Sequence, residues 1–306
     1  ETVSFYYIVL AVFLPLGYVE LKSEHIRVDL FAQMMPNWAQ LALYVLALAL
    51  CSAGIAAQVP LWPLLMLPQG ILLVFLFTLS HECTHQTPFK SVWLNEWAGH
   101  AIAALIALPF TWFRYYHLAH HKYTNDPDRD PELEGGPRPA TVPQWLAYLS
   151  GWGFWRGMVK TLLTNAFGAI TAPYLPARRH GAMRREARII LVLYAVVLAS
   201  LLISPLALWL WLLPLLIGQP FLRAYLLAEH GLCPPVANML ENSRTTFTNR
   251  ILRFLAWNMP YHVEHHTIPN VPFHRLPDLH QEMKGHHRVT AQGYSAFTKE
   301  YVKDLG

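Results

Sequence analysis

LWPLLMLPQGILLVFLFTLSHECTH, residues 61–85, runs for some twenty apolar positions and then ends in His-Glu-Cys-Thr-His. An apolar run of about this length is what a helix needs to cross a bilayer core. The histidine pair at its end shares one helical face, because i and i+4 are neighbours on a helix. A membrane span that delivers two imidazoles to one membrane surface is the pattern that organises the rest of the chain.

Outward from that stretch, three further segments read as spans: residues 39–58, 188–203 and 206–228. Val59-Pro60 separates the first pair and Ser204-Pro205 the second, so two tight helical hairpins are expected. Neither hairpin tip carries charge. Lys90, Arg114, Lys122, Arg178, Arg179, Arg184, Arg185, Arg244, Arg250 and Arg253 all fall in the other connections, which the positive-inside rule assigns to the cytosol. Composition agrees: the chain of 306 residues is 54% hydrophobic and only 14% charged, where a soluble domain has about 25% charged residues. A net charge of +4 is too mild to suggest nucleic acid.

Residues 1–38 form an N-terminal segment. Its apolar part, 5–19, is short and broken by Pro15, so an interfacial or partly inserted segment is expected, and no basic region precedes Phe5 to suggest a secretory signal. Residues 39–306 form the main domain. Within it, 92–113 reads as one re-entrant or interfacial helix, 142–170 as a Trp-rich helix in the headgroup region, and 234–306 as a polar cytosolic region. The expected fold is an all-α integral membrane protein: four transmembrane helices in two hairpins, interfacial helices, and a cytosolic cap. The three cysteines, Cys51, Cys83 and Cys233, show no CxxC spacing and form no disulfide framework.

Sixteen histidines are present, and eight fall in three clusters on the same expected side of the membrane. His81 and His85 are followed by His117-Leu-Ala-His120-His121 and by His262-Val-Glu-His265-His266. The HxxHH spacing puts three imidazoles on one helical stripe. Eight converging nitrogens exceed what one metal takes and imply two. His230, just past the last span, is a ninth candidate at the same depth as His81 and His85. Imidazole suits iron, zinc and copper. Asp126, Asp130, Glu132, Glu229 and Glu264 lie beside the clusters and are candidates to orient imidazoles through the second ring nitrogen. Arg129 and Lys122 are candidates to hold a substrate head group, and Arg178-Arg179 with Arg184-Arg185 a basic patch for an acidic partner. One rival reading takes HECTH as the HExxH of a membrane zinc protease with Glu82 as general base; it leaves both HxxHH clusters without a role. Another is a non-enzymatic metal sensor, although no cluster position is missing.

HECTH, HLAHH and HVEHH together resemble the three histidine boxes of the membrane fatty acid desaturase and hydroxylase superfamily, in order, spacing and position relative to the spans, over residues 28–287. The resemblance implies two iron ions held by His81, His85, His117, His120, His121, His262, His265 and His266, with His230 in the place of the further ligand that follows the fourth span. It implies O2 as co-substrate and oxidation of an unactivated C–H bond in a fatty acid or fatty-acyl lipid: desaturation first, with hydroxylation or oxidative decarboxylation to a terminal alkene as alternatives on the same scaffold. It also implies an external electron donor of the ferredoxin, rubredoxin or cytochrome b5 type. The sequence departs from the animal acyl-CoA enzymes at Leu226, where those carry Asn, and "AEHGL" (228–232) resembles a stretch of the alkane hydroxylases. No cytochrome b5 motif is read in these 306 residues, so a separate donor protein is expected.

Overall fold

A computed structural model describes residues 37–306 of the chain; the expected interfacial segment at 5–19 lies outside the described residues. The described residues divide into two compact units, with the boundary between Leu65 and Met66. In the first, α1 (Asn37–Ala56) is apolar on all sides, with Leu43, Val45 and Leu46 exposed. At 1.5 Å per residue its 20 residues span about 30 Å. It ends in a turn where Gln58 and Leu61 adopt positive φ around Pro60.

The second unit begins with α2 (Met66–His85). Pro68 falls in its first turn, where the missing N–H costs no helical bond. A short 3₁₀ turn, Trp62–Leu65, precedes it. The apolar helix therefore extends from Trp62 to His85, and HECTH is its last turn. After it come α3 (Val92–Leu105) and α4 (Phe110–Tyr123). The sequence reading expected one helix over 92–113. The chain breaks at Ala107, which takes a positive φ, and Pro109 caps a new helix. Proline restrains Leu108 from helical backbone, which explains the boundary.

The aromatic stretch at 142–170 is likewise two helices, α5 (Val142–Leu149) and α6 (Trp152–Phe167). They are split at Gly151, whose φ is +72° and whose missing Cβ leaves room for Gln219. α7 (His180–Ser200) starts earlier than expected and carries Arg184, Arg185 and Arg188 in its first half. A π-helical turn, Leu208–Leu212, leads into α8 (Leu213–His230). Pro214 cannot donate a backbone bond there, and the carbonyl of Leu210 accepts instead from Gln69 Nε2 at 3.0 Å. Among the described residues three helical stretches are long and apolar enough to cross a membrane: Trp38–Ala56, Trp62–His85 and Leu208–His230.

α2 and α8 meet backbone to backbone. A Cβ on Gly70 would lie 2.2 Å from the carbonyl oxygen of Pro214, and one on Gly218 would lie 2.2 Å from that of Gly70. Small residues allow this close approach, which is how helices pack where apolar surface alone offers no preference. The contact matters because both helices end in candidate metal-ligating histidines, His85 and His230.

Beyond His230 the chain forms short elements: α9 (Met239–Asn242), α10 (Arg250–Leu255), α11 (His262–Thr267), α12 (Leu276–Glu282) and α13 (Tyr294–Lys303). Thr245–Thr246 (β1) pairs in parallel with Thr290–Ala291 (β2), a small departure from the all-helical expectation. Phe297 and Tyr301 of α13 pack on Leu227 and Ala228 of α8. Buried Arg244 donates Nη1 to the carbonyls of Ala228 (2.7 Å) and Gly231 (2.5 Å), groups the helix end leaves without partners.

Candidate metal centre

Four chain regions converge on one buried cluster of imidazoles. α2 supplies His81 and His85, and α4 supplies His117, His120 and His121. α11 supplies His262, His265 and His266. His230 is the last residue of α8 itself rather than a residue beyond it. α4 has no side-chain cap of its own. Glu186 of α7 fills that role from across the fold, accepting from the backbone N–H of Phe110 (2.7 Å) and Thr111 (2.8 Å) and bonding His100 Nδ1 at 2.7 Å. A carboxylate at a helix N-terminus is favoured by the helix dipole as well as by the hydrogen bonds.

The nine rings fall into two groups. In the first, one nitrogen from each of His81, His85, His117, His121 and His265 lies within 4.8 Å of all the others. The Nε2 atoms of His85 and His117 are 2.8 Å apart, and those of His117 and His121 2.9 Å. In the second, nitrogens of His120, His230 and His266 meet the same limit. Nε2 of His230 lies 3.2 Å from that of His120 and 2.9 Å from that of His262. The stacked rings of His121 and His266, 4.1 Å apart at 12°, join the groups.

This arrangement fits metal ions better than hydrogen bonds. A neutral imidazole carries one N–H, so a ring of inward-facing nitrogens cannot satisfy itself. Nε2 of His265 and of His266 are buried with no hydrogen-bond partner. Metal–imidazole bonds of about 2.1 Å put ligands at right angles about 3.0 Å apart and opposite ligands about 4.2 Å apart, which matches the spread of these nitrogens. Burial, reinforced by neighbouring imidazoles, holds His117, His121, His262, His265 and His266 well below the ordinary histidine pKa. They are therefore neutral, the form that binds metal.

The outer nitrogens of His120, His230 and His266 have hydrogen-bond partners, whereas Nδ1 of His81, His121, His262 and His265 is buried without one. Nδ1 of His120 bonds both oxygens of buried Asp130 at 2.9 and 3.1 Å, and Asp130 also accepts from the backbone N–H of Asn125 and Glu132. Burial disfavours the charged form of His120, but Glu132 and then Asp130 outweigh it, so its pKa is raised. Nδ1 of His230 donates to the carbonyl of Asn242 at 3.0 Å, and Nδ1 of His266 lies 3.2 Å from Thr124 Oγ1. Glu229 Oε1 is 3.4 Å from His262 Nδ1, and Glu132 Oε2 3.7 Å from His120 Nδ1.

Two of the expected orienting acids do not reach the cluster. Asp126 pairs with Arg129 at 2.5 Å, a surface contact. Glu264 points away from its own box: Thr245 Oγ1, His280 Nδ1 and His287 Nε2 all bond its carboxylate. Its place among the rings is taken by Glu82, which the sequence offered only as a protease base. Glu82 Oε1 lies 3.5 Å from His81 Nδ1 and 3.6 Å from His265 Nδ1, and Thr87 donates to Oε2 at 2.7 Å. A general base would have to face a metal's open position; this carboxylate stands at the outer nitrogens of two rings. Asn242 and Thr124 were not legible as site residues, because carbonyl and hydroxyl partners follow no sequence pattern.

Residues 57–295 match the profile of the fatty acid desaturase family. Over 265 residues the chain is 25% identical to an sn-1 oleoyl-lipid 12-desaturase of Arthrospira platensis and 28% identical to a dihydrorhizobitoxine desaturase of Bradyrhizobium elkanii. Each alignment spans 78% of this chain and 73% of the relative. A shorter stretch of 80 residues, 25% of this chain and 22% of the relative, is 35% identical to an sn-1 acyl-lipid omega-3 desaturase (ferredoxin) of Nostoc sp. (strain 36).

Proposed function

We propose, from the premise that this chain belongs to the fatty acid desaturase family, that it is a di-iron enzyme desaturating the acyl chain of a membrane lipid. The observation that carries the reading is the pair of buried imidazole groups with inward nitrogens that lack hydrogen-bond partners. One iron would be held by His81, His85, His117, His121 and His265, the other by His120, His230, His262 and His266. When bound and reduced, such a pair supplies O2 activation strong enough to take hydrogen from an unactivated C–H bond.

The residues of the chain have definite tasks in this account. Asp130 and the Asn242 carbonyl bond the outer nitrogens of His120 and His230, which fixes ring orientation and turns Nε2 inward, and Glu82 and Glu229 face those of His81, His265 and His262 at 3.4–3.6 Å, placed to do the same once metal is bound. Burial keeps the rings of His117, His121, His262, His265 and His266 neutral. Phe113, whose ring stacks on His117 at 5.6 Å, and Phe77, 6.3 Å from His81, give that side of the site an apolar wall suited to a hydrocarbon chain. Oxidation by O2 needs electrons from outside the chain, and a ferredoxin-type protein is the donor proposed, by analogy with the ferredoxin named for the Nostoc omega-3 desaturase.

The membrane arrangement proposed is four spans, with α7 as the fourth beside the three apolar stretches, and the site at the cytosolic face. α7 has the length, and its arginines sit at the end nearest the site, where the positive-inside rule puts them. Desaturation is favoured over hydroxylation and decarboxylation because the two relatives matched over 265 residues are named as desaturases. Lipid profiling of cells expressing the wild type and His265→Ala tests this. New double bonds in acyl lipids with the wild type alone are expected. Hydroxylated chains or terminal alkenes would instead assign the same site to another outcome, and no change in any product would refute the enzyme reading.

A further inference from the structure

A cleft of about 390 Å³ lies between α3, α4 and α7, with Arg114, Arg179, Arg185 and His100 among its polar lining and Ile189, Ile190 and Ala104 among its apolar lining, and with none of the nine clustered histidines in its wall. Its acids are already engaged. Glu96 takes a two-pronged bond from Arg114 at 2.6 and 3.1 Å. Glu186 is held by the two backbone N–H groups of α4 and by His100. Among the described residues no carboxylate pairs with Arg179 or Arg185. Nε of Arg114 is buried without a partner. The cleft therefore keeps an uncompensated positive charge above an apolar floor.

Its setting supplies the second half of the argument. α3 carries Trp93 and Trp97 on the turns around Glu96, each 64% exposed. Tryptophan in that exposure belongs at the headgroup level of a bilayer. α7 passes from arginines at its start to the exposed apolar positions Ile189 and Val192 one or two turns on. The cleft sits at that transition. A ligand that fills it must be anionic at one end and hydrocarbon at the other.

We propose that this cleft binds the phosphate of an anionic membrane phospholipid, with Arg179 and Arg185 on the phosphate oxygens and the acyl chains against Ile189 and Ile190. Guanidinium matches phosphate oxygens two at a time, which favours phosphate over an uncharged head group. The inference rests on α7 entering the membrane but not on iron chemistry, so the two can fail separately.

Native mass spectrometry of the full-length protein in neutral detergent, with phosphatidylglycerol or inorganic phosphate added, tests it. Wild-type protein should retain phosphatidylglycerol, and the double variant Arg179→Ala/Arg185→Ala should bind it roughly tenfold to a hundredfold more weakly, with iron content and melting temperature unchanged. The double variant Arg178→Ala/Arg184→Ala removes the same charge next to the cleft but not from its lining, and should bind as the wild type does. Equal loss in both variants would mean a diffuse basic surface and overturn the proposal. Binding of inorganic phosphate as tight as that of the lipid would overturn the lipid assignment. Retention of lipid by Arg179→Ala/Arg185→Ala would refute the site altogether.

Discussion

Replacing Asp130 by Asn should empty one half of the metal centre while leaving the fold in place. Asp130 is buried and receives three donors: His120 Nδ1 at 2.9 Å, the Asn125 N–H at 2.8 Å and the Glu132 N–H at 2.9 Å. The carboxylate accepts all of them on two oxygens. An amide of the same shape has one oxygen, so either orientation sets its NH2 against another N–H. The lost charge-assisted bond costs about 1.5–3 kcal/mol. Losing such a partner behind a ligating histidine typically weakens metal binding by about 10–100-fold, or about 1.4–2.7 kcal/mol, so the two estimates agree. The variant should hold the iron at His81, His85, His117, His121 and His265 normally and bind the second one to two orders of magnitude more weakly. Chelator competition on the purified protein, read as iron per chain, measures this. Asp126→Asn is the control, because Asp126 contacts Arg129 and no ring. Unchanged affinity in Asp130→Asn, or equal loss in Asp126→Asn, would refute the reasoning.

Further outcomes follow from the same geometry. Glu82→Gln should weaken iron binding in the five-histidine group, and peptidase activity that disappears while one zinc remains bound would revive the HExxH reading. Glu186→Ala removes the acceptor for two N–H groups of α4 and should destabilise the protein by about 2 kcal/mol, seen as a lower melting temperature with reduced iron content; no change in either would mean that α4 is held some other way. Metal-free protein should lose stability as pH falls below about 6.5, because the unfolded chain takes up protons there while His117, His121, His262, His265 and His266, held well below that value, do not. Its contribution is present above pH 6.5 and lost on acidification, so a melting temperature constant from pH 8 to pH 5 would contradict it.

Periodic signals carried far in this chain. HxxHH spacing required His117, His120 and His121 to share a face, and α4 delivers them together. The same spacing works on α11, only 6 residues long. Uninterrupted apolar length located α1, α2 and α8 to within a few residues. What failed to show was anything governed by local backbone choice or by distant contact. Nothing in the apolar pattern over 92–113 distinguishes one helix from two; the break depends on Ala107 adopting positive φ before Pro109. Sequence adjacency favoured Glu264 over Glu82, yet it is Glu82 that stands beside the rings of His81 and His265, because α11 turns Glu264 toward His280 and His287. Cap residues such as Glu186 lie 75 positions from the amide they serve and carry no motif.

Metal counting on protein purified without chelator and reconstituted anaerobically with Fe(II) bears on the central claim most directly. Two irons per chain are expected in the wild type, and fewer than two after substitution of a histidine from either group. One metal atom per chain, or two that persist when His117 and His266 are both replaced by Ala, would contradict the account.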